Sequence, residues 1–222
     1  MASILVTGFE RFGSWAKNPS AIVAQMLEGE KVSNYEIQSK TLPVRYKEIN
    51  EITANLIKDF SPEIVLMTGI AEGSTGIRVE KIAINEATAR IPYMCGSQPI
   101  EESIVPGGPA AYFSGLPVSK IVEVLNKNGI PAYISYSAGT YGCNQAFYCL
   151  MHEIHRSSIN NGKSANTNLT GGFIHLPITP DMVATAKSTS LASMSIESIL
   201  RGIKLILEIA VDFHESKNNS KG

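Results

Sequence analysis

Short apolar segments alternate along the chain with longer amphipathic segments, a pattern typical of an α/β domain. Four of the apolar segments have the continuous hydrophobicity of strands buried on both faces of a parallel sheet: residues 3–7, 64–67, 132–135 and 173–176. We therefore expect a single domain, residues 1–214, in which a twisted and mostly parallel central sheet is flanked by helices.

Helix signals lie between these strands. Asn18 followed by Pro19 is an N-cap with proline at the first helical position, and it predicts a helix through about Leu27. Apolar residues at helical spacing predict further helices at 45–60, from Val118 to an end at Gly129, at 143–156, and around 196–210. The polar residues 215–222, which follow the last helix, are expected to form a frayed tail.

Three segments lack helical periodicity. Residues 77–84 form an extended segment whose alternation slips once, as a β-bulge would cause. Residues 89–116 are rich in proline and glycine, so we expect a long loop that is functional or makes a contact between subunits. Residues 157–170 are rich in Asn and Ser and predict a surface loop.

Composition narrows the class of protein. The chain is 44% hydrophobic and 18% charged, as in globular proteins, and its net charge of -1 gives no reason to expect nucleic acid or an anionic membrane as partner. The N-terminus fits a first strand better than a signal peptide, and no stretch approaches the roughly 20 apolar residues that span a bilayer. Three cysteines are typical of a reducing cytoplasm; Cys95 and Cys149 are open to oxidation or to pairing between subunits.

Two local patterns resemble binding motifs without meeting their requirements. The glycine-rich turn at 69–76 follows a strand, but it has neither the G-x-G-x-x-G spacing of dinucleotide-binding sites nor the Gly-Lys-Ser/Thr of a P-loop. We therefore interpret it as a turn that needs positive φ. Cys149, His152 and His155 lie close together on a predicted helix. At about 100° per residue, Cys149 and His155 point in well-separated directions and cannot share a metal ion.

Cys143 is a candidate nucleophile, because it lies where a small-residue turn meets the start of a helix. The unpaired N–H groups and positive dipole end of a helix N-terminus stabilise a thiolate and can receive an oxyanion. Alone, this pattern fits a buried structural cysteine at least as well. His175, at the end of an apolar strand, is the candidate base, whereas His152 lies about 13 Å farther along the helix of Cys143 at about 1.5 Å per residue.

Glu80 is the candidate partner of His175, because a histidine base is usually oriented by a carboxylate. It lies in the otherwise apolar segment 77–84. Its spacing fits equally an outward-facing strand residue that pairs with Arg78 or Lys81. Both interpretations of Glu80 stay open on the residues alone.

Several longer motifs are spread along nearly the whole chain: VTGFERFG at 6–13, NP at 18–19, VEKIAIN at 79–85, ARIP at 89–92, VPGGPAAYFS at 105–114, SAGTYGCN at 137–144 and GFIH at 172–175. With these motifs in this order, the sequence resembles the pyroglutamyl peptidase I family, also called pyrrolidone carboxyl peptidases. The resemblance implies a phosphorylase- or hydrolase-like fold, a cytoplasmic location, frequent homotetramers or dimers, and no metal or cofactor. It also implies a triad of Cys143 as nucleophile, His175 as base and Glu80 as the group that orients His175.

The same resemblance implies a pocket for the pyroglutamyl ring. Phe9 and Phe12 match the two phenylalanines of the family's apolar pocket, Asn18 matches a pocket residue, and Arg90 matches a residue that assists the oxyanion. Ile70 is a further pocket position, at which many members carry glutamine.

The implied function is hydrolysis of the bond after an N-terminal pyroglutamyl residue in peptides, through a thioacyl enzyme. Two alternatives remain. One is a catalytically inactive member that only binds peptides or assembles, to which the departures from the family pattern at Ile70, Ser74 and Gly142 point. The other is a nucleoside phosphorylase-like enzyme, whose fold is related and whose glycine turns could hold phosphate.

Overall fold

The structure, a computed structural model, describes residues 2–159, 168–186 and 190–219. A seven-stranded sheet forms the centre of the fold. The strands are β1 (Ser3–Phe9), β2 (Lys31–Val32), β3 (Tyr35–Leu42), β4 (Ile64–Ile70), β5 (Ile77–Glu80), β6 (Ile82–Ile84), β7 (Ala111–Phe113), β8 (Ala132–Ser135) and β9 (Thr170–Leu176). The sheet order is β2-β3-β1-β4-β9-β5-β8, while β6 and β7 form a separate antiparallel pair. β3, β1, β4 and β9 are parallel; β5 and β8 are parallel to each other, but β5 is antiparallel to β9.

Helices cover both faces of this sheet. They are α1 (Pro19–Leu27), α2 (Glu48–Phe60), α3 (Val118–Lys127), α4 (Gly142–Ile159), α5 (Pro180–Thr185) and α6 (Ile196–Asn219). One hydrophobic core lies between the sheet and α1, α3 and α6, and a second between the sheet and α2 and α4. The predicted α/β fold, with a mostly parallel sheet flanked by helices, is confirmed. Among the helices of the described ranges, none is long and apolar enough to cross a membrane.

The segment predicted as one bulged strand, 77–84, is two strands in different sheets. β5 lies in the central sheet, and after Lys81 the chain leaves it to form β6, which pairs with β7. The predicted bulge is therefore wrong, since the slip in alternation marks a change of sheet. β7 also lies within residues 89–116, which were expected to be a loop. β3 is not among the predicted strands, because polar residues separate its buried Tyr35, Ile37 and Leu42.

Helix boundaries differ from the prediction by a few residues. α2 begins at Glu48 rather than residue 45. Lys47 has a positive φ of 66°, which is incompatible with a right-handed helix. α4 extends to Ile159, and residues 160–167 of the predicted loop lie outside the described residues. α6 continues to Asn219, so residues 215–219 of the predicted tail are helical, and 220–222 lie outside the described residues. The short helix α5 was not predicted.

The start of α1 is locked against the end of β1. Asn18 caps α1 as predicted, since its Oδ1 accepts a hydrogen bond from the Ser20 N–H at 3.0 Å. The Ser20 hydroxyl in turn accepts a bond from the Phe9 N–H at 2.9 Å. This close approach requires glycine at position 8, because a Cβ there would lie 2.3 Å from the carbonyl carbon and oxygen of Ser20. The position of Phe9 thus depends on the backbone contact between β1 and α1.

We expect Gly8→Ala to destabilise the protein by about 1–3 kcal/mol. The new methyl group overlaps the backbone of Ser20, and relieving this overlap moves α1 away from the sheet. At this chain length that destabilisation corresponds to a melting temperature lower by roughly 2–12 °C. Gly142→Ala is the matched control, since its Cβ would make ordinary contact with Ile49 Cδ1 at 3.4 Å. Thermal melting of both variants checks the prediction, and equal melting temperatures for Gly8→Ala and the unmodified chain would contradict it.

Candidate active site

Cys143 is the second residue of α4, and its side chain is partly exposed. Its sulfur lies over β4 at Gly69, where an added Cβ would be 2.8 Å from Sγ and 3.0 Å from Cζ of Phe173. The absence of a side chain on β4 therefore makes the space that the sulfur occupies. The first N–H groups of α4 have no partner within the helix and carry the positive end of its dipole beside this sulfur.

Asn144 and Gln145 fix the first turn of α4. The fully buried Asn144 side chain accepts a bond from the Ile84 N–H and donates to the carbonyls of Ile84 and Glu86, at 2.9–3.0 Å. The Gln145 amide donates to Asn50 Oδ1 on α2 at 2.8 Å. The residues that follow Cys143 are thereby tied to β6, to the segment after β6 and to α2, so the position of the thiol is set by buried hydrogen bonds.

His175 and Glu80 meet in the sheet beside Cys143. His175 is only 5% exposed and Glu80 is fully buried. The His175 Nδ1 lies 2.8 Å from the Glu80 Oε1. An Nδ1–H donated to the carboxylate leaves Nε2 available to the Cys143 thiol, which lines the same cleft. The interpretation of Glu80 as an outward-facing residue paired with Arg78 or Lys81 is thus wrong.

The electrostatics of the pair favour a charged imidazole. Burial by itself lowers the pKa of His175, because it disfavours the cation. The charge and hydrogen bond of Cys143, together with those of Glu80, outweigh this effect and raise the pKa of His175 to about 9. The raised pKa favours an imidazolium beside the sulfur, which is the arrangement that activates a cysteine for nucleophilic attack.

Cys143 and His175 open into a cleft of about 860 Å³. Its lining includes every pocket residue predicted above, namely Phe9, Phe12, Asn18, Ile70 and Arg90, together with Val44 and Tyr141. The rings of Phe12 and Tyr141 are in contact, with centroids 5.0 Å apart. Aromatic and aliphatic side chains thus form an apolar wall on the side of the cleft where β1 and β3 end.

The predicted pocket residues differ in what their side chains can offer. Asn18 is 5% exposed, and its polar atoms are used within the fold, by the Ser20 N–H and hydroxyl and by the carbonyl of Glu10. It therefore shapes the cleft by holding the loop that carries Phe12. Ile70, at the end of β4, adds an apolar surface, and Arg90 is exposed at the rim.

The remaining cysteines and histidines have other environments. Cys95 is exposed, and a hydrogen bond from the backbone of Ser97 lowers its pKa. Cys149 is buried, and burial raises its pKa to about 12. His214 is buried and contacts Thr170 and Glu63. Over the ranges that the structure describes, no group of three or more His, Cys, Asp and Glu residues could hold a metal ion.

Comparison with known proteins identifies the family. The sequence profile described as pyroglutamyl peptidase matches residues 2–213. The pyrrolidone-carboxylate peptidase of Bacillus thuringiensis (strain Al Hakam) is 38% identical over 209 residues, covering 94% of this chain and 93% of that protein. The chain belongs to the pyroglutamyl peptidase family.

Solved structures of family members agree with this assignment. The pyrrolidone carboxyl peptidase of Thermococcus litoralis superposes with a TM-score of 0.89 at 37% identity, covering 98% of this chain and 96% of that one. Pyroglutamyl peptidase I of Bacillus amyloliquefaciens gives a TM-score of 0.86 at 36% identity, covering 96% and 98%. The resemblance inferred from motifs is thus confirmed over nearly the whole fold.

Two residues that shape the site were not among the predicted ones. The sequence predicts positive φ in the glycine-rich turn at 69–76, but only Gly73 has a positive φ there, at 76°. Gly69 matters because the sulfur of Cys143 lies against it. Asn144 belongs to the motif at 137–144, from which no role for its side chain is predicted. A buried polar residue directly after a candidate nucleophile was the available signal, because such residues need hydrogen-bond partners.

We expect nuclear magnetic resonance of labelled histidines to give a pKa of about 9 for His175, lowered both in Glu80→Gln and in Cys143→Ala. Each substitution removes a negative group that favours the imidazolium. His152 is the internal control, because its pKa is lowered from 6.5 by burial and does not depend on the Glu80 carboxylate. A His175 pKa that is the same in all three proteins would contradict this account of the pair.

We also expect Gly69→Ala to slow alkylation of Cys143 by iodoacetamide by about tenfold or more. The new methyl group pushes the sulfur away from His175 and from the start of α4, and small displacements of reacting groups have large effects on rate. Peptide mapping by mass spectrometry separates the two thiols, and the exposed Cys95 serves as control within each sample. Equal rates at Cys143 in the two proteins would refute the assigned role of Gly69.

Proposed function

We propose that this protein is a cysteine peptidase that hydrolyses the bond after an N-terminal pyroglutamyl residue of peptides. The observation that carries the proposal is the buried 2.8 Å contact of His175 with Glu80 beside a cysteine at a helix N-terminus, in a member of the pyroglutamyl peptidase family. Relatives named pyrrolidone-carboxylate peptidase support the same activity. In this proposal Cys143 is the nucleophile, His175 the acid and base, and Glu80 the group that orients His175.

The first half of the proposed reaction forms a thioester. The Cys143 thiolate attacks the carbonyl carbon of the pyroglutamyl residue, and the carbonyl oxygen becomes an oxyanion. Backbone N–H groups at the start of α4 stabilise this charge, and Arg90 at the rim is the proposed assisting cation. The His175 imidazolium then protonates the leaving amine, so the C–N bond breaks and the shortened peptide departs.

The second half releases pyroglutamate. Neutral His175 takes a proton from a water molecule, and the resulting hydroxide attacks the thioester carbonyl. The C–S bond breaks, and the proton on His175 restores the thiolate–imidazolium pair. Glu80 stabilises the imidazolium in both halves and keeps Nδ1 as the donor to its carboxylate, which supports its assignment as an orienting group.

The proposed substrate class follows from the apolar wall of the cleft. Pyroglutamate is a cyclic lactam without a free α-amine, so a site that recognises it needs an apolar slot and a few hydrogen bonds rather than a carboxylate for an ammonium group. Phe9, Phe12, Val44 and Tyr141 supply such a wall. Ile70 extends it, and Asn18 supports it by holding the loop of Phe12.

We further propose a cytoplasmic homo-oligomer, a tetramer or a dimer, that acts without metal or cofactor and without nucleic acid or membrane partners. The thiols of Cys95, Cys143 and Cys149 support a reducing compartment. Large apolar side chains that are more than two-thirds exposed, Ile100 and Phe113, support contacts between subunits. The net charge of -1 gives no electrostatic attraction to polyanions.

The first experiment is release of a fluorescent amine from a pyroglutamyl amide, with and without prior iodoacetamide. We expect release that iodoacetamide abolishes, because alkylation blocks the thiolate. Folded and reduced protein that releases nothing would overturn the proposal and favour an inactive member, or a phosphorylase if phosphate-dependent cleavage of nucleosides appeared instead.

In the same assay we expect Cys143→Ala to lower kcat by about 10⁴-fold or more, because no other group can form the thioester. His175→Ala should cost a similar amount, and Glu80→Gln roughly 10²–10⁴-fold, since the imidazolium loses its charged partner. Thermal melting shows whether each variant is folded, and Cys149→Ala is the control for loss of a buried thiol outside the cleft. Full activity in folded Cys143→Ala would refute the nucleophile, and full activity in Glu80→Gln would make Glu80 structural.

A further inference from the structure

One row of side chains crosses the sheet from the nucleophile outwards. The register of the strands aligns Gly69 on β4 with His175 on β9, His175 with Arg78 on β5, and Arg78 with Tyr133 on β8. All four positions face the α4 side of the sheet, since their neighbours Ile174 and Val79 belong to the opposite core. The sulfur of Cys143 lies over Gly69, so Arg78 lies on the far side of His175 from the nucleophile.

This row divides the cleft into two sides. The apolar wall lies where β1 and β3 end, on one side of the thiol, and Arg78 lies on the other, with both parts lining the same cleft. If the pyroglutamyl ring binds the apolar wall, the leaving amine must lie next to His175, which protonates it. The rest of the leaving group then extends over β5 and Arg78. This placement of the ring and of the leaving group rests on the proposed function.

Arg78 is held in place by neutral groups. The Ser74 hydroxyl donates to the Gly76 carbonyl at 2.6 Å, and the Tyr133 hydroxyl, 3.0 Å from Ser74 Oγ, is then the donor to it. Both oxygens are therefore free to accept the Arg78 Nε–H, at 3.3 Å from Ser74 and 2.9 Å from Tyr133. Each hydroxyl has a defined donor and acceptor role, so the guanidinium is oriented before any ligand binds.

The guanidinium of Arg78 lies 6.0 Å from the centroid of the Tyr133 ring, but its charge has no carboxylate partner within the described part of the chain. No carboxylate there lies within 4.0 Å of its nitrogens, in contrast to the ion pairs of Arg45 and Arg156. Glu72 lines the same cleft, but its carboxylate accepts a bond from the Trp15 indole N–H at 3.2 Å. With Nε used by Tyr133 and Ser74, the two terminal nitrogens of the guanidinium remain, and these match the two oxygens of a carboxylate.

We propose that Arg78, positioned by Tyr133 and Ser74, binds a carboxylate on the residue that follows pyroglutamate in the substrate. Neighbouring strands are about 4.8 Å apart, and one extended residue spans about 3.5 Å. A carboxylate one residue beyond the amine at His175 is therefore within reach of the Arg78 side chain. Either the α-carboxylate of a pyroglutamyl dipeptide or an acidic side chain at that residue supplies this group.

Two matched substrate pairs test the proposal. Pyroglutamyl-alanine against pyroglutamyl-alanine amide varies the α-carboxylate, and pyroglutamyl-glutamate amide against pyroglutamyl-glutamine amide varies the side chain. We expect kcat/KM to be about tenfold higher for the charged member of at least one pair, because charge-assisted hydrogen bonds are strong. A preference in the first pair identifies the α-carboxylate, and a preference in the second identifies the side chain.

Substitutions connect that preference to Arg78. In Arg78→Met the ratio within the pair should fall to about one, and in Tyr133→Phe it should fall by a smaller factor, since Tyr133 orients the guanidinium without contacting substrate. Tyr133→Phe also keeps the test valid if Arg78→Met does not fold, because Tyr133 is 38% exposed and retains its ring. Arg156→Met, on the exposed surface of α4, is the control and should keep the ratio of the unmodified protein.

The outcomes separate this inference from the proposed function. Hydrolysis of the neutral amides without a preference for the charged substrates overturns the carboxylate site alone. A preference that persists unchanged in both Arg78→Met and Tyr133→Phe also overturns it. Absence of hydrolysis of every substrate, neutral ones included, overturns the proposed function and with it the carboxylate site.

Discussion

The buried pair of Glu80 and His175 constrains the whole arrangement of the sheet beneath the cleft. A carboxylate without solvent contact is costly unless it is paired. Here one oxygen lies 2.8 Å from the His175 Nδ1, while Oε2 has no hydrogen-bond partner within the described part of the chain. The pair exists because β5 runs antiparallel to β9, in a register that puts Glu80 diagonally across from His175. A slip by one residue would turn the carboxylate to the opposite face, so charge pairing and strand register stabilise each other.

The reversal of β5 has a second consequence for the site. In the parallel part of the sheet the carboxyl ends of β1, β4 and β9 meet at one edge, where α/β proteins bind ligands. Because β5 runs the other way, its first residues reach this same edge, and Arg78 arrives beside His175 while Glu80 lies deeper. One short strand thus supplies a buried anion that stabilises the imidazolium and a partly exposed cation at the mouth of the cleft. Arg78 and Glu80, which carry these opposite charges, are two positions apart in the sequence.

Local sequence patterns predicted those parts of the fold that depend on neighbouring residues. The Asn18–Pro19 cap, the buried strands and the helix that begins near Cys143 follow from capping, hydrophobicity and periodicity. The split between β5 and β6 could not be predicted in this way, because it depends on pairing with β9 and β7, strands distant in sequence. The partnership of Glu80 with His175 joins residues 95 positions apart, and spacing alone fits a surface ion pair equally well. The order of family motifs, rather than periodicity, supplied that partnership.

Gly69 and Asn18 show why a residue's contribution to a cleft is hard to predict from its chemical type. Gly69 contributes the absence of a Cβ, and only the fold reveals that a sulfur fills the space. Asn18 has the polarity of a ligand-binding residue, yet its side chain bonds to Ser20 and to the Glu10 carbonyl, within the fold. Both act on the cleft through backbone geometry. An apolar slot for a small ring needs walls that do not collapse when empty, and a capped helix start locked against β1 provides that rigidity.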